Sequence, residues 1–175
     1  MGRIRPHLHL PLTALLALGA GVVLYLLTRD PASVYFITLL PRSLWPDGVI
    51  SCTACGSLPS LLHVYAFILI SAYVLQPVTG RQLVTLCLGW FSIEILFEIG
   101  QIDSVATLIQ PHLPSWSEQL PLASIMDNFL LRGTFDPMDI LFTALGTLAA
   151  YGLLIGRLSG EMKDDPTKRH KQLPV

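Results

Sequence analysis

"LVTLCLGWFSIEILFEIGQI", residues 83–102, decides how the chain is read. A helix of about 20 apolar residues spans the roughly 30 Å hydrocarbon core of a bilayer. Yet this run carries Glu94, Glu98 and Gln101 at i, i+4 and i+7, which places all three on one helical face. A carboxylate facing lipid is costly, so that stripe must look toward other helices or a wet recess.

Three more segments approach the same length: 8–28, 58–75 reaching about Val78, and 138–156. The 175 residues are 52% hydrophobic and 13% charged, about half the charge of a soluble domain. The expected fold is therefore an all-α integral membrane protein, a four-transmembrane-helix bundle. One membrane domain covers 1–157, and 158–175 forms a polar tail, disordered on composition. The first segment follows a basic start but is too long for a signal-peptide core, so it reads as a retained helix. "VYFITLL", 34–40, is too short to span and reads as interfacial. The loop 103–135 holds amphipathic "SVATLI" and "LASIMDNFLL" with Trp116, and reads as an interfacial cover on the outer surface. A net charge of −1, with no basic arm or zinc-finger spacing, gives no reason to expect nucleic acid as a partner.

Charge sets the expected orientation. Arg3, Arg5, Arg81, Arg157, Lys163, Lys168, Arg169 and Lys171 fall on one side of four spans. Arg29, Arg42 and Arg132 are spread over two longer loops on the other. The positive-inside rule then puts both termini in the cytoplasm. Counting from Arg81 puts Glu94 at about 20 Å and Glu98 at about 26 Å. Asp139 lies about 27 Å from Arg157, and His63 about 21 Å from Pro77. Three helices thus place polar groups in one outer slab.

Asp136–Pro137 reads as the N-cap and first residue of the last helix, with Asp139 at the third position. His63 beside carboxylates is suited to proton transfer near neutral pH. It could also share a divalent metal with Glu94, Glu98 and Asp139, a minority reading because no metal-binding spacing is present. No cofactor is otherwise expected. "CTAC", 52–55, reads as a local disulfide staple or unpaired thiols, and Cys87 as packing. Gly19, Gly21, Gly89, Gly146, Gly152 and Gly156 lie within the spans, and "GTLAAYG" and "GLLIG" offer small residues for close helix contact. No nucleophile elbow, Walker motif or Rossmann fingerprint occurs.

Taken together, "LPSLLHVYAF", "FEIGQ" and "RGTFDPMDILFTALGTLAAYG" resemble the VanZ-like family of small bacterial membrane proteins, over residues 58–157. That family shows a His opening a span, a Glu-x-x-Gln closing one, and an Asp starting the last, with Gly seven residues on. Here these are His63, Glu98, Gln101, Asp139 and Gly146. The family often has Asn four residues after the Asp; this chain has Thr143, which keeps one hydroxyl but not the amide's two-sided reach. The resemblance implies the bacterial plasma membrane, a cell-envelope role and a link to teicoplanin resistance, with no settled activity.

The residues give His63, Glu98 and Asp139 as candidates for catalysis, and Glu94, Gln101 and Asp136 for ligand binding, to which the resemblance adds Thr143. The partner expected is a membrane lipid or lipid-linked envelope precursor. Whether the site modifies that ligand stays open. The competing reading is a structural or assembly subunit whose polar cluster only fixes helix packing.

Overall fold

A computed structural model describes residues 9–28, 55–77, 79–109, 112 and 134–163. Among them are five helices: α1 (His9–Thr28), α2 (Leu58–Leu75), α3 (Gly80–Gly100), α4 (Asp103–Ile109) and α5 (Pro137–Lys163). α1, α2, α3 and the Pro137–Gly160 portion of α5 are long and apolar enough to cross a membrane. The chain is therefore an all-α, multi-pass bundle, as the four hydrophobic runs require.

Packing follows small residues. α2 is the central helix, touching α1, α3 and α5, while α3 also packs on α5. The core contains Ala14 and Ala17 of α1, Ala66 and Ala72 of α2, and Ala150 of α5, among Leu10, Val64, Ile68, Leu69, Leu83 and Leu154. Short side chains let helix backbones approach when lipid supplies no hydrophobic drive for association. Bulky Leu15, Leu16, Leu88, Leu96 and Leu148 point outward instead. Such a pattern suits a protein whose solvent is hydrocarbon. Hydroxyls inside the spans turn back on their own helix: Thr13 donates to the His9 carbonyl at 2.7 Å and Thr147 to that of Thr143 at 2.9 Å. That satisfies a donor for which lipid offers no partner.

α2 and α5 approach closely at Gly146. A Cβ added at Gly146 would collide with the Leu61 carbonyl oxygen and lie 2.8 Å from Val64 Cγ1. Gly21 faces Leu62 Cβ at 3.6 Å in an ordinary contact. At Gly19, Gly89, Gly152 and Gly156 an added Cβ would meet nothing within 4 Å. The contact role expected of the glycines in "GTLAAYG" and "GLLIG" therefore holds for Gly146, while Gly152 and Gly156 face open space. Sequence spacing identifies a small residue but not the side of the helix a neighbour occupies.

Helix ends differ from expectation by a few residues, for visible reasons. α2 stops at Leu75, short of Val78, because Gln76 adopts φ 48° and returns its N–H to the Ala72 carbonyl at 2.9 Å. Pro77 then bars continuation. α3 begins at Gly80, three residues before the apolar run, because Thr79 and Gln82 form a reciprocal capping box. α5 continues past Arg157 to Lys163, so the first part of the expected tail is helical. Leu158, four residues after buried Leu154, extends the packed stripe and accounts for that extension. "SVATLI" lies within α4, whereas "VYFITLL", "LASIMDNFLL" and Trp116 lie outside the described residues.

Candidate functional site

The site forms where α3 ends and α2 and α5 begin. α2 and α3 run in opposite directions along a polar and aromatic seam. His63, Phe67 and Ser71 recur every four residues on α2, so they share one face. Trp90 and Glu94 do the same on α3. His63 Nδ1 lies 3.1 Å from Glu94 Oε1. One turn along, the His63 and Phe67 rings meet edge to face, with centroids 4.4 Å apart. Phe67 stacks on Trp90 at 4.8 Å, and the indole N–H of Trp90 donates to Ser71 Oγ at 2.9 Å.

A turn beyond Glu94, α3 presents Glu98 to the start of α5. Asp136 caps that helix: its carboxylate accepts the Met138 N–H at 2.9 Å, and its carbonyl accepts the Asp139 N–H at 2.9 Å. The N-cap and first-residue reading of Asp136 and Pro137 therefore holds. The backbone N–H of Asp136 donates to the Glu98 carboxylate from across the helix interface. Glu98 thus sits at the positive end of the α5 dipole, where an anion is favoured. Asp139, Glu94 and Asp136 all lie within its electrostatic reach. The other carboxylate oxygen, Oε2, is buried with no hydrogen-bond partner among the described residues.

Burial separates the members. Asp139 is 6% exposed and Thr143, one turn further along α5, is 1% exposed. Gln101 is buried at the C-cap of α3, where its N–H returns to the Glu98 carbonyl at 3.1 Å. The His63 side chain is 49% exposed and that of Glu94 15%, so the pair forms the open edge of the cluster. The residues read from sequence thus fall into two tiers. His63 pairs with Glu94, and Glu98 gathers with Asp136 and Asp139. Thr143 and Gln101 lie buried in the same helices. Among the described residues, no three His, Cys, Asp or Glu side chains converge as a metal-holding set. Cys55 is disulfide-bonded, Cys52 lies outside the described residues, and Cys87 is a buried free thiol.

Four contributors were missed in the sequence, among them Trp90, four residues before Glu94. Phe67 and Ser71 lie four and eight residues after His63, and buried Thr147 lies eight after Asp139. Their spacing was readable. Nothing in it, however, distinguished Phe67 from any other aromatic residue of an apolar helix.

These elements define a class: a multi-pass helical membrane protein with a carboxylate and imidazole cluster at one end of its bundle. Comparison with protein-family models, curated proteins and solved structures finds no match to this chain.

Proposed function

We propose that this is a VanZ-like integral membrane protein of the bacterial cell envelope. In this reading the cluster binds, or binds and modifies, the polar headgroup of an envelope lipid or lipid-linked glycan. Its role is tied to glycopeptide resistance of the teicoplanin type. The observation that carries the reading is the gathering of Glu98, Asp136 and Asp139 beside the His63–Glu94 pair, at one end of a four-span bundle. Ionisable groups at membrane depth are expensive, and they mark sites of ligand or proton traffic more often than packing.

The bundle end that carries the site faces outward in this proposal, with both termini in the cytoplasm of a bacterial plasma membrane. Two observations support that orientation. Arg81 and Arg157 belong to the opposite end, where Gly80 meets Ile155 Cδ1 at 3.6 Å. Cys55 is disulfide-bonded and precedes α2 at the site end, which suits the oxidising side of a membrane.

The test is substitution of Glu98→Gln and Asp139→Asn, separately, in a bacterial host scored for teicoplanin susceptibility and envelope-lipid composition. Each should weaken the phenotype at unchanged protein level. An unchanged phenotype in both would overturn the proposal.

One set of contacts favours a second reading, a structural subunit. The His63–Glu94 pair joins α2 to α3, and the Asp136 amide joins α5 to α3, so both also lock helix order. That reading requires every cluster substitution to lower thermal stability and none to alter lipid content in a correctly folded variant.

A further inference from the structure

The His63 ring is held by two neighbours at once. Its Nδ1 faces Glu94 Oε1 at 3.1 Å, and its ring meets that of Phe67 edge to face, Phe67 being itself stacked on Trp90. Trp90 is tied in turn by its hydrogen bond to Ser71. A carboxylate accepts hydrogen bonds and does not donate them. When the imidazole is neutral, its single proton therefore belongs on Nδ1. The lone pair is then left on Nε2, which has no partner among the described residues, on a side chain 49% exposed at the edge of the cluster. Glu94 thus selects the tautomer, as a carboxylate or carbonyl does wherever a histidine must present one nitrogen to a reactant.

From this we infer that His63 Nε2 is the atom that accepts a hydrogen bond, or a proton, from the bound headgroup. Glu94 and Phe67 are its positioning residues. The inference rests on the headgroup reading and narrows it to a chemical class. The ligand must bring an N–H or O–H donor, a primary ammonium or a sugar hydroxyl, to the His63 edge. The neighbouring carboxylates Glu94, Glu98, Asp136 and Asp139 favour the same class, because all accept from a donor and repel a bare phosphate.

The experiment is nitrogen NMR of the full-length protein, labelled at histidine, in nanodiscs. The His63 signals are assigned by their loss in His63→Gln. Spectra are taken from roughly pH 6 to roughly pH 9, bracketing the ordinary histidine range. In phosphatidylcholine discs, which offer no donor, the neutral ring should carry its proton on Nδ1. Glu94→Leu should move it to Nε2. A merely structural His63–Glu94 contact allows either tautomer in that variant. In discs containing phosphatidylethanolamine, or in phosphatidylcholine discs with N-acetylglucosamine added, the Nε2 resonance should shift in the direction of hydrogen-bond acceptance. The arm that moves it distinguishes a lipid amine from a glycan hydroxyl. A neutral ring protonated on Nε2, a ring that stays cationic throughout, or an Nε2 signal indifferent to both donors would each overturn the inference. The Glu98 and Asp139 phenotypes do not depend on this outcome, so failure here is distinguishable from failure of the headgroup reading.

Discussion

At Gly146 the backbones of α2 and α5 come so close that the Leu61 carbonyl oxygen occupies the place of a side chain. Backbone cannot swing aside as a flexible side chain can, so Gly146→Ala should destabilise by about 1–3 kcal/mol. A thermal melt in detergent should fall by several degrees, while Gly152→Ala, in open space, should leave it unchanged. Glu98 gives the opposite expectation. Its Oε2 is buried without a partner among the described residues, and three acids stand near. Glu98→Gln removes one of several like charges and supplies N–H donors to carboxylate neighbours. The melting temperature should therefore hold or rise while lipid-linked function falls, the exchange expected when strain serves a site. A lower melting temperature with function intact would favour the structural reading. Glu94, Glu98 and Asp139 were legible in the sequence because a charge in an apolar run stands out. Phe67, Trp90 and Ser71 were not, because an apolar helix contains many such residues and only a partner's position selects among them.

Among the elements, the link between α2 and α3 is the sharpest. Gln76 holds a left-handed conformation that costs a residue with a Cβ about 1 kcal/mol. Gln76→Gly should recover roughly that amount and raise the thermal midpoint, provided the N–H to the Ala72 carbonyl is kept. The capping box that starts α3 makes the complementary prediction. Thr79→Ala leaves the Gln82 N–H without its acceptor at 3.2 Å, and should cost about 1 kcal/mol in the same melt. Helix cores were readable from length and hydropathy, and the start of α5 from Asp136–Pro137. The apolar run starts three residues inside α3, and the capping-box spacing of Thr79 and Gln82 marks the helix start that hydropathy misses. At the end of α5 the charge of Arg157 suggests a stop, whereas packing at Leu158 carries the helix on to Lys163.

For the molecule as a whole, four spans bring three chemistry-bearing helix ends together with no motif to announce it. Depth counted along separate helices was enough to bring His63 level with Glu94, and Glu98 level with Asp139. It succeeded because helical rise is nearly constant. Counting could not supply the azimuth of each side chain, nor the half-exposure of His63 against the burial of Asp139. The orientation proposed for the bundle is open to labelling with a membrane-impermeant thiol reagent. Single cysteines placed at Arg3 and at Lys171, in a background lacking the native thiols, should both react only after the membrane is opened. Reaction of either in intact cells would reverse the assignment. The central claim, that the carboxylate cluster receives a lipid headgroup, is tested most directly by an experimental structure in native lipid. The account predicts headgroup density within hydrogen-bond reach of Glu98 and Asp139 and beside His63 Nε2. Carboxylates that contact only one another and the protein, with lipid density confined to the outer flanks of the helices, would contradict it.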